Sequence, residues 1–382
     1  MDYFDRWKSK IERLIEEHPV QIVSWEATRD CNLNCLHCGS PRETWNREQE
    51  LSAEEVIRVF NDIAEQFDMF KFRHINITGG EPFVRRDLID ILKEISKKSC
   101  FRNIDIQTNG VILADKSELL NIVKQYGVTG IGVSIDGLKQ THERFRGCRD
   151  GSFEKSLRTA KLASQKGYVV TFSTVAHSEN IGELPELFKL ARDVVGARYF
   201  RVMKLDCIGR TNLNRNYLLS PEQMRQVVSF LHQQYVQDFQ TYANPKSTMV
   251  ELGCAGWLGR RLEGEVNPFF FHCIGGINNL GILYDGKISS CSNISRDFIQ
   301  GDVRKDNLKD VWENRFKEFR SFDWKKKGDC KDCSEWQYCH GGPMHKRLKD
   351  GTMIDCSYKM IIEGKDYRKT LPDKAFTTVA GN

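Results

Sequence analysis

The chain has 382 residues, 40% hydrophobic and 29% charged, with a formal net charge of +5. That length suits two or more globular domains, and so mild a positive balance requires no nucleic-acid partner. The start, Met1-Asp-Tyr-Phe-Asp-Arg6, has no apolar signal core, and no apolar run approaches a membrane span, so a cytoplasmic protein with no membrane attachment is expected.

Phe4, Trp7, Ile11, Leu14 and Ile15 recur at helical spacing and predict an amphipathic helix over residues 1–20. From residue 21 to 215 short apolar runs alternate with longer amphipathic ones. Strands are predicted at 21–28, 74–78, 103–108, 130–135, 169–175 and 199–204, and helices at 53–66, 86–98, 116–126, 153–166 and 184–194. This alternation predicts βαβ units on a parallel sheet, either doubly wound or an incomplete barrel. In both folds the chemistry belongs at the C-terminal ends of the strands.

Those ends are where polar residues and glycines gather. Cys31-Asn-Leu-Asn-Cys35-Leu-His-Cys38 follows the first strand and Thr78-Gly-Gly-Glu-Pro82 the second. Gln107-Thr-Asn-Gly110 ends the third, Ser134-Ile-Asp-Gly137 the fourth, and Thr174 and His177 the fifth. Lys204, Asp206 and Cys207 end the sixth. Turn formers alone explain any single loop; their coincidence with a three-cysteine loop carries more weight. Three clustered thiolates can hold three irons of a [4Fe–4S] cube and leave the fourth open for substrate or cofactor. The alternatives are a zinc site one ligand short or buried structural cysteines.

A helix starting at Ser220-Pro-Glu-Gln223 is predicted to connect the first unit to a second, occupying about residues 216–245. Residues 246–360 have another grammar, with short strands and many Gly and Cys, and 361–382 form a tail. Tyr284-Asp-Gly-Lys287 reads as a hairpin turn that brings Cys273 near Cys291. Cys330-x-x-Cys333-x5-Cys339, with Cys356, supplies four thiolates, and on spacing alone zinc and iron–sulfur are even. Cys100, Cys148 and Cys207 stand alone and default to small buried residues, Cys207 being the partial exception at a strand end.

Taken together, CxxxCxxC, GGEP and the segment Ser134-Ile-Asp-Gly137, His142, Arg146-Gly147, Gly151-Ser-Phe153 resemble a radical S-adenosylmethionine (SAM) enzyme. Cys273, Gly281 through Cys291, Asn307-Leu308, Trp312 and Cys330/Cys333/Cys339/Cys356 resemble its SPASM extension. The resemblance implies an α/β fold: a partial (β/α)6 TIM-like barrel followed by a small Cys-rich α+β domain. It implies that Cys31, Cys35 and Cys38 hold a [4Fe–4S] cluster that binds SAM. His37 would lie near the adenine, Gly79, Gly80 and Glu81 would meet the methionine ammonium, and Gln107, Asn109, Ser134 and Arg146 would line the pocket. SAM cleavage would yield a 5′-deoxyadenosyl radical that abstracts a substrate hydrogen, with a flavodoxin or ferredoxin as reductant.

The resemblance also implies one or two auxiliary [4Fe–4S] clusters, on Cys254, Cys273 and Cys291 and on Cys330, Cys333, Cys339 and Cys356. One departure stands out. Where the family often has Cys-x-Gly-Gly-Cys, this chain reads Cys339-His-Gly-Gly-Pro343, so a ligand of the first auxiliary cluster is missing and His340 or His345 becomes a candidate. The expected function is modification of a peptide or protein: a crosslink, thioether, epimerisation or oxidation. The rival is the same chemistry on a tetrapyrrole, sugar or natural-product intermediate; an electron-transfer protein without turnover is a third. The roughly 20 residues before the first strand are too few for a fused leader-peptide domain, and Ser292 stands where sulfatase-maturing relatives place a catalytic Asp. Asp206, Cys207 and His177 are the candidates for proton transfer or substrate contact at the barrel mouth, and Arg198, Arg201, Lys204 and Arg210 are expected near the top of strand six.

Overall fold

The computed structural model describes residues 3–101, 103–148, 151–238, 247–266 and 269–371. After helix α1 (Tyr3–Glu17) the chain runs β1 (Ile22–Glu26), α2 (Ala53–Gln66), β2 (His74–Thr78), α3 (Leu88–Ile95) and β3 (Ile104–Thr108). It continues through α4 (Val111–Asp115), α5 (Glu118–Gln125), β4 (Val128–Ser134), α6 (Lys139–Phe145), α7 (Ser152–Gln165), β5 (Val169–Ala176), α8 (Leu184–Lys189) and β6 (Tyr199–Lys204). Strands β1 to β6 pair in order and all in parallel, which is the α/β core expected from the alternation.

Local chemistry explains the elements. Helix α2 opens on a capping box between Ser52 and Glu55, and Val56, Val59, Phe60 and Ile63 bury its inner face. In β2 and β3, Ile75, Ile77, Ile104 and Ile106 are buried on one face. The intervening side chains, Asn76 and Gln107, meet on the other, with Gln107 Nε2 donating to Asn76 Oδ1 at 3.2 Å. Glycines on β4 make room for these polar side chains: a Cβ at Gly130 would lie 2.0 Å from Asp105 Oδ1, and one at Gly132 1.9 Å from Gln107 Oε1. Helix α8 runs on as a π-helix over Leu190–Val195 until Gly196 ends it in the left-handed region.

The sheet extends beyond the six strands. After α9 (Pro221–Asp238), which Ser220 caps against Gln223, comes β7 (Met249–Gly253), pairing in parallel with β6. Strand β8 (Asn279–Ile282) pairs in parallel with β1, and β9 (Lys287–Ser289) and β10 (Gly301–Asp302) follow as antiparallel additions. The hairpin at Tyr284–Lys287 is present, with Gly286 at φ +81° in its turn. The C-terminal region thus continues the barrel sheet from both edges. The predicted boundary near 245, the last turn of the connecting helix and residues 372–382 of the predicted tail lie outside the described residues. Helices α10 (Leu308–Arg315), α11 (Lys317–Arg320), α12 (Trp336–Cys339) and α13 (Ser357–Ile362) complete the chain.

Helix α1 packs on the C-terminal region. Phe4 stacks on Phe270 at 4.9 Å and meets Trp257 and Tyr338 edge-on. Among the described residues no helix is long and apolar enough to cross a membrane.

Candidate active site and iron–sulfur centres

The loop after β1 is held from three sides. Gly80 N donates to Thr28 O at 2.7 Å and Glu81 N to Asp30 O at 2.9 Å, tying the β2 loop beneath it. A Cβ at Gly79 would fall 2.2 Å from Thr28 O, and one at Gly80 2.1 Å from Asp30 O, so only glycine permits this approach. Leu36 N donates to Phe145 O, and Gly147 lies so close to Asn34 O that a Cβ would sit at 2.3 Å. From the loop after β6, Arg210 Nη1 donates to Cys35 O at 3.0 Å and Asn214 Nδ2 to Leu36 O at 3.0 Å.

Cys31, Cys35 and Cys38 lie within electrostatic reach of one another. Burial, then the neighbouring thiols, push Cys31 up to about 12 and Cys38 to about 11; burial raises Cys35 as well. Arg146 Nη1 approaches Cys35 Sγ at 4.0 Å and Asn109 Nδ2 approaches Cys31 Sγ at 3.9 Å. Three clustered thiols in one tight loop, with Arg146 and Asn109 donors directed at two of them, suit a donor set for iron. Among the described residues no three His, Cys, Asp or Glu side chains form a group fit for a single metal ion, whereas a cluster takes its thiolates on separate irons.

Around this loop stand the residues expected to meet SAM. Glu81 is buried and accepts from Thr108 Oγ1, Asn109 N and Phe83 N, while burial lifts it to about 7. Asn109 bridges to Asn32 Oδ1 at 2.8 Å, Gln107 faces Asn76, and Ser134 closes β4. His37 stacks flat on Phe145 at 4.3 Å, and Phe145 stacks in turn on His177 at 3.9 Å. Burial lowers His37 to about 3, so the ring is neutral, and its Nδ1 is buried with no partner.

The residue that organises this region carries no role of its own in the sequence reading, standing there only within Ser134-Ile-Asp-Gly137. Asp136 is fully buried; its Oδ2 accepts from Arg146 Nε at 2.6 Å and its Oδ1 from Val175 N at 2.8 Å. Burial opposes its charge, but Arg146, His37 and the Val175 N–H outweigh burial and hold it at about 2. Its place in Ser134-Ile-Asp-Gly137 was the only available signal.

The barrel-mouth candidates differ in surroundings. His177 is buried; its Nδ1 accepts from Glu179 N and its Nε2 lies 3.4 Å from Asp136 O, so both nitrogens are engaged by backbone. Cys207 donates to Asn212 Oδ1 at 3.2 Å within an apolar cluster of Phe145, Leu205, Ile208, Tyr217 and Ile354. Asp206 is joined to Lys204 at 2.8 Å, Lys346 at 3.2 Å and His345 Nε2 at 2.9 Å, with Asp355 bonding both lysines. Burial works against the Asp206 charge, but Lys204 and Lys346 hold its pKa well below the ordinary range. Of the four basic residues expected at the top of strand six, Arg198 stands before the strand begins and bonds Ser247, and Arg201 pairs with Glu251 inside the sheet. Direction along the strand decides this: only Lys204 and Arg210 lie at or beyond its C-terminal end.

In the C-terminal region Cys254 follows β7 in a left-handed conformation, φ +49°, and lies within reach of Cys273 and Cys291. Its side chain is accessible, yet desolvation by the surrounding protein and those two thiols push it up to about 12. Pro343 packs beside this loop, 3.2 Å from where a Cβ on Gly256 would stand. Of the two histidines weighed as substitutes for the missing cysteine, His345 turns to Asp206. His340 stacks on Phe322 at 4.7 Å and lines a cavity with Cys273, its Nδ1 buried without a partner. Cys330, Cys339 and Cys356 lie within reach of one another, burial raising Cys339 strongly and Cys356 to about 12. Arg347, 0% exposed, donates from Nη2 to Cys330 Sγ at 2.9 Å and otherwise only to backbone carbonyls. A guanidinium buried against a sulfur fits a thiolate bound to iron.

The family model of the radical SAM superfamily matches residues 25–191, and that of the SPASM iron–sulfur cluster-binding domain matches residues 273–334. The chain belongs to the radical SAM superfamily. This radical SAM/SPASM protein is an enzyme, and its cofactors are [4Fe–4S] iron–sulfur clusters and SAM. It is 25% identical over 341 residues to the AdoMet-dependent heme synthase of Oleidesulfovibrio alaskensis, covering 84% of this chain and 82% of that protein. It is 24% identical over 339 residues to the PqqA peptide cyclase of Granulibacter bethesdensis, covering 85% and 82%. Streptococcus suis SuiB bound to S-adenosylmethionine shares the fold, with a TM-score of 0.66 and 16% identity over 90% of this chain and 79% of SuiB.

Proposed function

We propose that this radical SAM enzyme oxidatively modifies a peptide or protein. The observation that carries the oxidative reading is the second set of cysteines, two groups in all, with the buried cations Arg347 and Lys325 beside them. When bound, the clusters and SAM supply a 5′-deoxyadenosyl radical that removes a substrate hydrogen and a sink for the electron left behind.

The chain's own residues do the rest. Cys31, Cys35 and Cys38 hold the first cluster, and Gly79, Gly80 and Glu81 present acceptors to the methionine ammonium. The neutral His37 ring, backed by Phe145, offers a flat face to the adenine, and Gln107, Asn109, Ser134 and Arg146 orient the remainder. His345, held by the Asp206 carboxylate through Nε2, is the candidate to take the proton released as the substrate radical is oxidised, with Asp206 positioning it. Cys207 lies in an apolar patch suited to substrate contact, and His177 supports the aromatic stack.

The likeness to PqqA peptide cyclases supports a peptide substrate. A second reading, a tetrapyrrole substrate, is favoured by the AdoMet-dependent heme synthase that aligns over 84% of the chain. Reconstituted protein incubated anaerobically with SAM, dithionite and candidate substrates separates them. Mass loss on a peptide, such as one encoded beside this gene, supports the first reading. Turnover of a porphyrin alone supports the second, and no 5′-deoxyadenosine with clusters intact refutes both.

A further inference from the structure

Lys325 is 1% exposed, at the end of a short 3-10 turn, Asp323–Lys325. Its Nζ lies over the rings of Phe322, at 5.0 Å, and Trp324, at 5.6 Å. Among the described residues it has no carboxylate partner. The acidic groups that act on it are cysteines, anionic only as thiolates: Cys273 of one auxiliary group, and Cys330 and Cys339 of the other. With His272, Phe322 and His340 it lines a cavity that Cys273 and Cys339 also line. Gly341, at φ +81°, leaves the space clear; a Cβ there would come within 3.1 Å of the Lys325 stem and 3.0 Å of Arg347 Nη2.

A buried ammonium without a counter-charge is strongly unfavourable. Two clusters carrying deprotonated cysteines supply that charge from both sides. Arg347 serves one group, through Cys330; Lys325 alone spans both. We propose that Lys325 is the shared counter-charge of the two auxiliary clusters, raising the reduction potential of each and so setting the electron sink for substrate oxidation. This rests on the assignment of iron–sulfur sites to both cysteine groups. The physical cause is Coulombic. Adding an electron to either cluster increases negative charge beside a fixed cation in a region from which water is excluded.

The test uses the full chain reconstituted anaerobically as wild type, Lys325→Met, Lys325→Arg and, as a control on an unrelated ion pair, Lys287→Met. Iron per chain and EPR-monitored redox titrations are measured, and the N-terminal cluster is recognised by its response to SAM. In Lys325→Met both auxiliary potentials are expected to fall by at least tenfold in the reduction equilibrium, about 59 mV for one electron. The SAM-responsive cluster and Lys287→Met stay at wild-type values, and Lys325→Arg restores the auxiliary potentials. Unchanged auxiliary potentials, or an equal shift of all three clusters, overturns the proposal. If Lys325→Met loses auxiliary iron, retention by Lys325→Arg supports a charge role and loss by both refutes it. Wild-type protein holding about 8 irons or fewer, in place of about 12, would overturn the assignment of a cluster to both cysteine groups, an outcome the iron count separates from a failed shift.

Discussion

Replacing Arg146 by Met isolates the electrostatics of the SAM-binding end. Arg146 and Asp136 are both buried, 8% and 0% exposed, and joined by a 2.6 Å hydrogen bond. Removing only the cation leaves an uncompensated carboxylate in the core, which costs about 3–5 kcal/mol against a total stability of ~5–15 kcal/mol. Arg146→Met/Asp136→Asn removes both charges and is expected to recover most of the loss. The pH dependence has a definite sign. In the wild type Asp136 is lowered from 3.8 to about 2, so its contribution, about 2 kcal/mol at about 1.4 per pKa unit, is present above pH ~4 and lost as pH falls toward 2. In Arg146→Met burial acts unopposed by that cation and raises the Asp136 pKa. The deficit of the single variant is therefore largest at neutral pH and shrinks as pH falls through the raised value. Anaerobic urea unfolding followed by tryptophan fluorescence at several pH values measures this. A single-variant cost under about 1 kcal/mol, or a double variant no more stable than the single, would refute the reasoning.

Gly80→Ala places a Cβ 2.1 Å from Asp30 O, so the cysteine loop must shift; iron should fall by about one cluster, from ~12 to ~8 per chain, with the auxiliary EPR signals kept. Arg347→Met removes the donor to Cys330 Sγ and should selectively deplete the four-cysteine cluster, read as iron loss with SAM cleavage intact. Asp206→Asn should keep 5′-deoxyadenosine formation but lower product yield by about 100-fold, measured by mass spectrometry. Equal losses of both would assign Asp206 to structure alone. Cys207→Ala should likewise spare SAM cleavage, with a smaller effect on product.

Much of the barrel and of the first cluster site is local information. Six strands were legible because β2, β3 and β6 bury alternating residues such as Ile75 and Ile77 while β1, β4 and β5 bury short continuous runs, and the helices because residues such as Val56, Val59, Phe60 and Ile63 share a face. That Cys31, Cys35 and Cys38 gather and that Gly79 and Gly80 approach their loop was legible because a tight loop and a close backbone approach leave short-range spacing and glycine signatures. The grouping of the later cysteines was legible in part from spacing, and Pro343 as a departure from pattern.

The rest depends on which distant segments meet. Strand β8 joins β1 across more than half the chain, Ser24 Oγ donating to Asn279 Oδ1 over a separation of 255 residues, and no short-range periodicity encodes that pairing. Whether Arg198 or Lys204 stands at the mouth follows from where β6 begins and ends. Asp136, Lys325 and Arg347 read in sequence as ordinary charged residues, of a kind that normally stays in water. Only the tertiary structure buries them, pairing Asp136 with Arg146 and leaving Lys325 and Arg347 to face sulfur. The sequence by itself determined which thiols gather in each loop; the fold decided which charges surround them, because an electrostatic environment is the sum of groups brought together from the whole chain.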